Sequence, residues 1–500
     1  MNISQNPASD LKAKSITAVG WSAIDVLGRG GLSFALTLIL ARLLSPAEFG
    51  LIAMLSIFIA LASSIVESGF GSALIQRKEL TQADKSSVFY FNVAMGALMA
   101  LVVFAAAPWI SEFYREPILL RMTRWMALNL FIDSFGVVQV ALLQRNLDFR
   151  TLFKVNLIAI IISGSAAVFM AWKGYGVWSL VAQTVIFTTV FTGLIWTFCP
   201  WKPALQFRIE SLRSLFGFGS RLLASGLLNT FFDRIQLAVI GKAFSATQLG
   251  YYTRAFTAQQ LPVSVLTSIV SRVTFPVFSQ LSGQVDMLRK GVQKALVSLM
   301  IPTLPMMLGL AVVAKPFVLV LFGSKWLPCV PYLQILSIAG AFWPLHLINL
   351  NVATSLGRSD LFLRLEIVKK IIIALGILCT FRISVMAMTW AVLIVSLLCI
   401  VVNTYYTKSL IGYGLLSQLH DLAPYAMISL ATSALAWAAA ALLNHFPPLL
   451  QLSASVLVGV VTYPVICHLL RLESYKVTLA AISGALLPTR EIKVSQCIGK

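Results

Sequence analysis

The residues with chemistry to do are ionisable and amide side chains spaced at helical intervals inside long apolar runs. The first apolar run carries Ser22, Asp25, Arg29, Ser33 and Thr37 at three- to four-residue spacing, which puts them on one face of a helix. Two hundred residues on, Arg221, Ser225, Asn229, Asp233 and Gln236 repeat that stripe. Glu67, Arg121, Arg124, Asp133, Arg234, Arg254, Arg272 and His346 also fall inside or at the ends of apolar runs. A charge at mid-membrane costs roughly 2.5–3.5 kcal/mol on insertion scales, so it faces a cavity or a partner. Arginines outnumber acids in these runs, and a guanidinium fork suits phosphate oxygens. The chemistry expected is binding of an anionic group by Arg29, Arg234, Arg254, Arg221 and Asn229. Asp25, Asp133, Asp233 and His346 are the candidates for coupling to a proton or cation.

Each of these residues also has a plainer reading. Asp25 and Arg29 stand four apart and can neutralise each other. Arg121, Arg124 and Arg254 lie near helix ends and can snorkel to headgroups. Arg42, Lys242 and Arg272 read as interfacial anchors. His346, near Asn349 and Asn351, is either a proton relay or a hydrogen-bonded interhelical residue. Trp109, Trp201, Trp326 and the Tyr251–Tyr252 pair read as belt aromatics.

The elements that position these residues follow from composition. The 500-residue chain is 58% hydrophobic and 11% charged, whereas a soluble protein carries roughly 25% charged residues. Lipid must therefore be its solvent. Spans of about 20 apolar residues are expected near 16–42, 47–72, 86–107, 118–142, 155–172, 177–199, 215–240, 248–275, 295–314, 329–354, 365–381, 386–407, 425–443 and 449–470. The first run is too long for a signal-peptide core and is expected to be retained. With the N-terminus inside, 24 basic residues fall in the inner segments and 6 in the outer loops, a positive-inside split that puts both termini in the cytoplasm. The net charge of +20 is thereby read as topology rather than as nucleic-acid binding.

The chain also repeats. Ala41–Gly50 (ARLLSPAEFG) aligns with Gly241–Gly250 (GKAFSATQLG), and both hold the S-x-x-E/Q of a capping box. Ala107-Pro108 aligns with Lys315-Pro316, and Arg145 and Phe149 align with Arg358 and Phe362. Each unit holds six spans and begins inside, which makes the repeats parallel. The expected fold is an all-α polytopic membrane protein of about 14 helices. It divides into an N-terminal lobe (1–213), a C-terminal lobe (214–410), and a final pair of spans with a cytoplasmic tail (411–500). A water-filled cleft between the lobes would receive both polar stripes.

The six cysteines are scattered singly, so neither a disulfide framework nor a zinc site is expected. The sequence has no P-loop, nucleophile elbow or zinc-type His pair. The loops are too short for a catalytic domain, which argues against a polysaccharide polymerase or glycosyltransferase. No cofactor and no metal are expected.

Several strings resemble the bacterial polysaccharide flippases of the Wzx-like, colanic-acid exporter type: ARLLSPAEFG (41–50), ESGFGSALIQR (67–77), LQRNLDFR (143–150), GYGVWSL (174–180), LGYYTRA (249–255) and FPVFS (275–279). The resemblance covers roughly residues 15–410. It implies the superfamily that also holds MATE drug exporters and the lipid II flippase. It implies transport of an undecaprenyl-pyrophosphate-linked oligosaccharide across the bacterial inner membrane, with membrane lipid, a polysaccharide polymerase and a chain-length regulator as partners. The alternative is a MATE-like, cation-coupled drug antiporter, whose site would be lined by acids.

Overall fold

A computed structural model describes residues 28–472 and Tyr475, apart from Ser68, Lys78 and Ser282. The side chains of residues 214–216, 218, 221, 264–273, 275, 276 and 359 fall outside that description. Asp25 and the side chains of Arg221 and Arg272 thus lie outside the described residues. What is described is helical: α1 (28–43), α2 (Pro46–Glu67), α3 (Phe70–Gln76), α4 (Gln82–Tyr114), α5 (Ile118–Ser134), α6 (Val137–Arg145), α7 (Phe149–Trp172), α8 (Trp178–Phe198), α9 (Ile209–Ala243) and α10 (Ala246–Gln280). There follow α11 (Val285–Val312), α12 (Ala314–Leu321), a 3₁₀ turn (Ser324–Cys329), α13 (Val330–Ala341), α14 (Trp343–Ser355), α15 (Ser359–Thr380), α16 (Val385–Ile411), α17 (Leu415–Leu442) and α18 (Pro448–Leu469).

Every one of the fourteen expected spans has a helix at its place, the first from residue 28 onward. Among the described residues, nine are long and apolar enough to cross a membrane, or ten if the bent α5–α6 pair counts as one. Apolar side chains in mid-helix confirm lipid as the solvent: Leu101 is 66% exposed and Val460 also 66%, positions a water-soluble fold would cover.

Local sequence explains where helices start and bend. Thr81 and Asp84 form a reciprocal capping box at the start of α4. Asp148 accepts from the Thr151 N–H to open α7. The chain bends by 44° between α5 and α6. There the Trp196 indole donates to the Phe135 carbonyl at 3.0 Å, satisfying a group that lipid could not. Arg145 donates to the carbonyls of Leu74 and Arg77, which closes the C-terminal end of α3. Two of the family-like strings therefore exist to hold each other.

Backbone contacts divide the chain into two units. Unit 1 comprises residues up to Leu261, with Leu321–Tyr332 and Ile373–Ala391; unit 2 is the remainder. In unit 1, α4 packs on α5, α7 on α8, and α2 on α9. In unit 2, α11 packs on α14, α17 and α18 around Leu296, Met300, Ile348 and Tyr425. The last pair of helices is thus built into a core rather than appended. A buried amide pair fastens it: Asn349 Nδ2 donates to Gln418 Oε1 at 3.0 Å, and Gln418 Nε2 donates back to Asn349 Oδ1 at 2.8 Å.

Gln418→Leu strands Asn349 Oδ1, while Nδ2 keeps the Leu345 carbonyl, and a buried unsatisfied group costs about 1–3 kcal/mol. The single variant is expected to melt lower in detergent than Asn349→Leu/Gln418→Leu. The reverse order would show that the pair contributes nothing.

Candidate functional site

The polar stripe of α9 stays open within unit 1. Ser225, Asn229 and Asp233 stand on successive turns and all are exposed, as is the adjacent Arg234. On α1, Arg29 and Ser33 are likewise exposed. These side chains are flanked by residues that pack inward: Leu237, Ala238 and Ile240 on α9, Leu40 on α1. Polar groups exposed on helices expected to cross the membrane meet water, a ligand or one another. Where α9 turns inward it is pinned by polar contacts, Ser64 Oγ to Thr230 Oγ1 at 3.1 Å and Gln236 Nε2 to the Met388 carbonyl at 3.4 Å.

Arg254 has a different setting. Its residue is 7% exposed, and its guanidinium carbon lies 3.9 Å from the centroid of the Phe49 ring and 5.5 Å from that of Trp326. Its Nε has no hydrogen-bond partner among the described residues. The sequence reading of a snorkelling end arginine does not describe this position. Trp326, expected in the interfacial belt, is 0% exposed. Its indole N–H donates to the Ala41 carbonyl at 2.8 Å, and Lys325 donates to the carbonyls of Arg42 and Leu44 at 2.9 and 2.6 Å. The 3₁₀ turn therefore caps the C-terminal end of α1, whose last carbonyls lack intrahelical donors. Aromatic identity alone could not separate a belt tryptophan from this cap.

The two repeat strings meet in the same region. A β-carbon on Gly50 would collide with the Ala246 carbonyl, and one on Gly250 with the Pro46 carbonyl. The N-terminal turns of α2 and α10 cross backbone to backbone, each glycine against the other's first residue. The cap motif is divided between the copies: Glu48 Oε2 accepts from Ser45 N at 2.6 Å, whereas Ser245 Oγ accepts from Gln248 N at 3.2 Å.

The coupling candidates lie in separate units. Asp133, half-buried on α5 in unit 1, is within electrostatic range of Glu67. His346 in unit 2 has both ring nitrogens engaged, Nε2 with Ser396 Oγ at 3.0 Å and Nδ1 with Asn403 Nδ2 at 3.1 Å. Unit 2 also holds a group that sequence reading assigned only to topology: Lys369 and Lys370 on α15 are shielded from solvent and share the Glu366 carboxylate. Their i+3 and i+4 spacing from Glu366 was the available signal. Among the described residues, no group of three or more His, Cys, Asp or Glu side chains is arranged to hold a metal ion.

This architecture is that of the transporter fold seen in the lipid II flippase MurJ in its inward closed conformation. That structure superposes with a TM-score of 0.72 at 14% identity over 90% of this chain and 99% of that one. An inward-facing MATE multidrug transporter matches with a TM-score of 0.61 at 14% identity, over 78% of this chain and 98% of that one. Residues 39–331 match the family described as "Polysaccharide biosynthesis protein", and the chain belongs to that family. Similar relatives include the succinoglycan biosynthesis transport protein ExoT of Rhizobium meliloti, 31% identical over 66% of this chain and 67% of that protein. The teichuronic acid biosynthesis protein TuaB of Bacillus subtilis is 26% identical over 80% and 84%. The lipopolysaccharide biosynthesis protein WzxC of Escherichia coli is 27% identical over 66% and 68%. The chain is therefore a multi-pass membrane protein of polysaccharide biosynthesis, with relatives in transport rather than catalysis.

The crossing makes a sharp mutational prediction. Gly50→Ala is expected to lower the melting midpoint in detergent, because a backbone carbonyl blocks its methyl. Gly30→Ala meets nothing within 4 Å and gains about 0.5–1 kcal/mol of helix propensity. Equal midpoints for the two would disprove the tight crossing.

Proposed function

We propose that this protein is a flippase that carries an undecaprenyl-pyrophosphate-linked oligosaccharide across the bacterial inner membrane by alternating access. The observation that carries the reading is the exposed, arginine-bearing polar face on α1 and α9. It stands on a chain of the polysaccharide biosynthesis family with the fold of a lipid flippase. Arg29 and Arg234 supply paired, charge-assisted hydrogen bonds to the pyrophosphate; Asn229 stands on the same stripe, and Arg221 is assigned to it by its spacing in the sequence. Arg254 joins them once it leaves its ring contacts. The sugar crosses in the wet space these residues border, and the polyprenyl tail stays in lipid.

The lobes 1–213 and 214–410 are the moving bodies in this reading, with both termini in the cytoplasm and 411–500 completing the second body. Asp25, Asp133, Asp233 and His346 are the groups available to couple the cycle to a proton or sodium gradient. Both ring nitrogens of His346 are already engaged by Ser396 and Asn403, so the carboxylates are the stronger members of that set. A polysaccharide polymerase and a chain-length regulator are the partners that would consume the flipped substrate.

The test is flipping of undecaprenyl-pyrophosphate-linked sugar in proteoliposomes. Losing two charge-assisted contacts, each about 1.5–3 kcal/mol, predicts that Arg29→Ala/Arg234→Ala slows flipping by at least about tenfold. Unchanged flipping would remove the pyrophosphate role. In cells, deletion should abolish a surface polysaccharide; a rise in sensitivity to cationic drugs with surface polysaccharide intact would favour the antiporter instead.

A further inference from the structure

Arg254 is a buried cation with no carboxylate partner among the described residues. Its Nε is unpartnered among the described residues, and the groups that face its guanidinium are the rings of Phe49 and Trp326. A desolvated cation–π contact compensates part of the lost hydration, but ring faces cannot replace the five directed hydrogen bonds that a guanidinium makes to oxygen. The position is therefore a holding state for this side chain, and a phosphate is a better partner if it can arrive.

What stops it arriving is also visible. Phe49 precedes Gly50, and Arg254 lies one helical turn beyond Gly250, so the ring contact sits directly on the backbone crossing. Trp326 packs edge-on to both Phe49, at 5.5 Å, and Tyr251, at 6.1 Å. Its indole is tied to the end of α1 through the Ala41 carbonyl. The clamp thus joins three elements: α2 through Phe49, α10 through Tyr251 and Arg254, and the 3₁₀ turn through Trp326. It cannot release the guanidinium while the two glycines remain in contact.

We propose that Phe49 and Trp326 are positioning residues that hold Arg254 in reserve while the α2–α10 crossing is shut. When the crossing parts, the guanidinium exchanges ring faces for phosphate oxygens. By the positive-inside topology this crossing lies at the periplasmic end. Arg254 would then bind the substrate on the release side of the cycle, after Arg29 and Arg234. The exchange rests on the pyrophosphate reading above; the clamp itself does not.

Cys329 provides the readout. It is fully buried in the same 3₁₀ turn and becomes reachable only if the turn and the crossing separate. In the full chain with Cys199, Cys379, Cys399, Cys467 and Cys497 replaced by alanine, a membrane-impermeant maleimide is added to right-side-out and to inverted vesicles. The parent is expected to label slowly. Arg254→Gln and Phe49→Leu should raise the rate by about tenfold in right-side-out vesicles, the factor expected from losing a buried cation–π contact. Arg254→Lys, which keeps a cation, should stay near the parent. A second series carrying Cys467 as its single thiol, buried in unit 2, should label no faster in any variant, which separates opening of the clamp from general unfolding.

Unchanged Cys329 labelling in both Arg254→Gln and Phe49→Leu overturns the proposal, as does an equal rise at Cys467. Undecaprenyl pyrophosphate placed in the vesicles should raise labelling of the parent and leave Arg254→Gln unaffected. If the variants label faster but undecaprenyl pyrophosphate leaves the parent unchanged, the clamp stands and the exchange fails, while the pyrophosphate reading falls only if Arg29→Ala/Arg234→Ala also leaves flipping unchanged.

Discussion

A polar atom inside a bilayer must find a partner within the protein or reach water, and each feature of this chain is a response to that constraint. Most of the responses are internal. Arg145 closes α3, Trp196 takes up the carbonyl freed at the α5–α6 bend, Lys325 and Trp326 cap α1, and Asn349 pairs with Gln418. These contacts commit side chains from distant parts of the sequence to the fold itself. The stripe of Ser225, Asn229, Asp233 and Arg234 stays exposed rather than folded into the core of unit 1, so its function has to be sought in what it meets outside that core.

The internal repeat has a mechanical meaning that its alignment alone does not convey. A parallel duplication produces two helix starts of the same shape, and here those starts touch each other. The conserved shape of the two strings, a serine cap followed five residues later by glycine, serves a single contact made twice. Either glycine with a side chain would force the other helix away, so the glycines read as close approach and not as flexibility.

Much of this was legible in the sequence because hydropathy and helical period are local signals. Helix positions followed from apolar run length, and the open stripe on α9 followed from three- to four-residue spacing. The bend at Phe135 had only the local signal of Ser134 and Gly136, and the donor that stabilises it, Trp196, comes from 61 residues away. The belt reading of Trp326 and the snorkelling reading of Arg254 failed for a related reason. A tryptophan or arginine near a span end has the same sequence signature whether it faces headgroups or a neighbouring helix; only tertiary packing distinguishes the two. Lys369 and Lys370 counted correctly as basic residues for topology, but their shared carboxylate gives them a second, structural identity.

The repeat is symmetric in backbone and asymmetric in chemistry, and the asymmetry is what makes the crossing more than a hinge. Position for position, Gly50 matches Gly250, but Phe49 faces Leu249 in the alignment and Met54 faces Arg254. Met54 and Leu249 are both buried apolar residues, so that half of the contact would gain the same burial with any ligand or none. The other half places a cation on a ring, an interaction whose strength depends on what else the cation can reach. A wholly apolar crossing would respond to the substrate only through shape. One that buries a guanidinium can respond to charge, because the state in which Arg254 is released gains most when an anion is there to receive it.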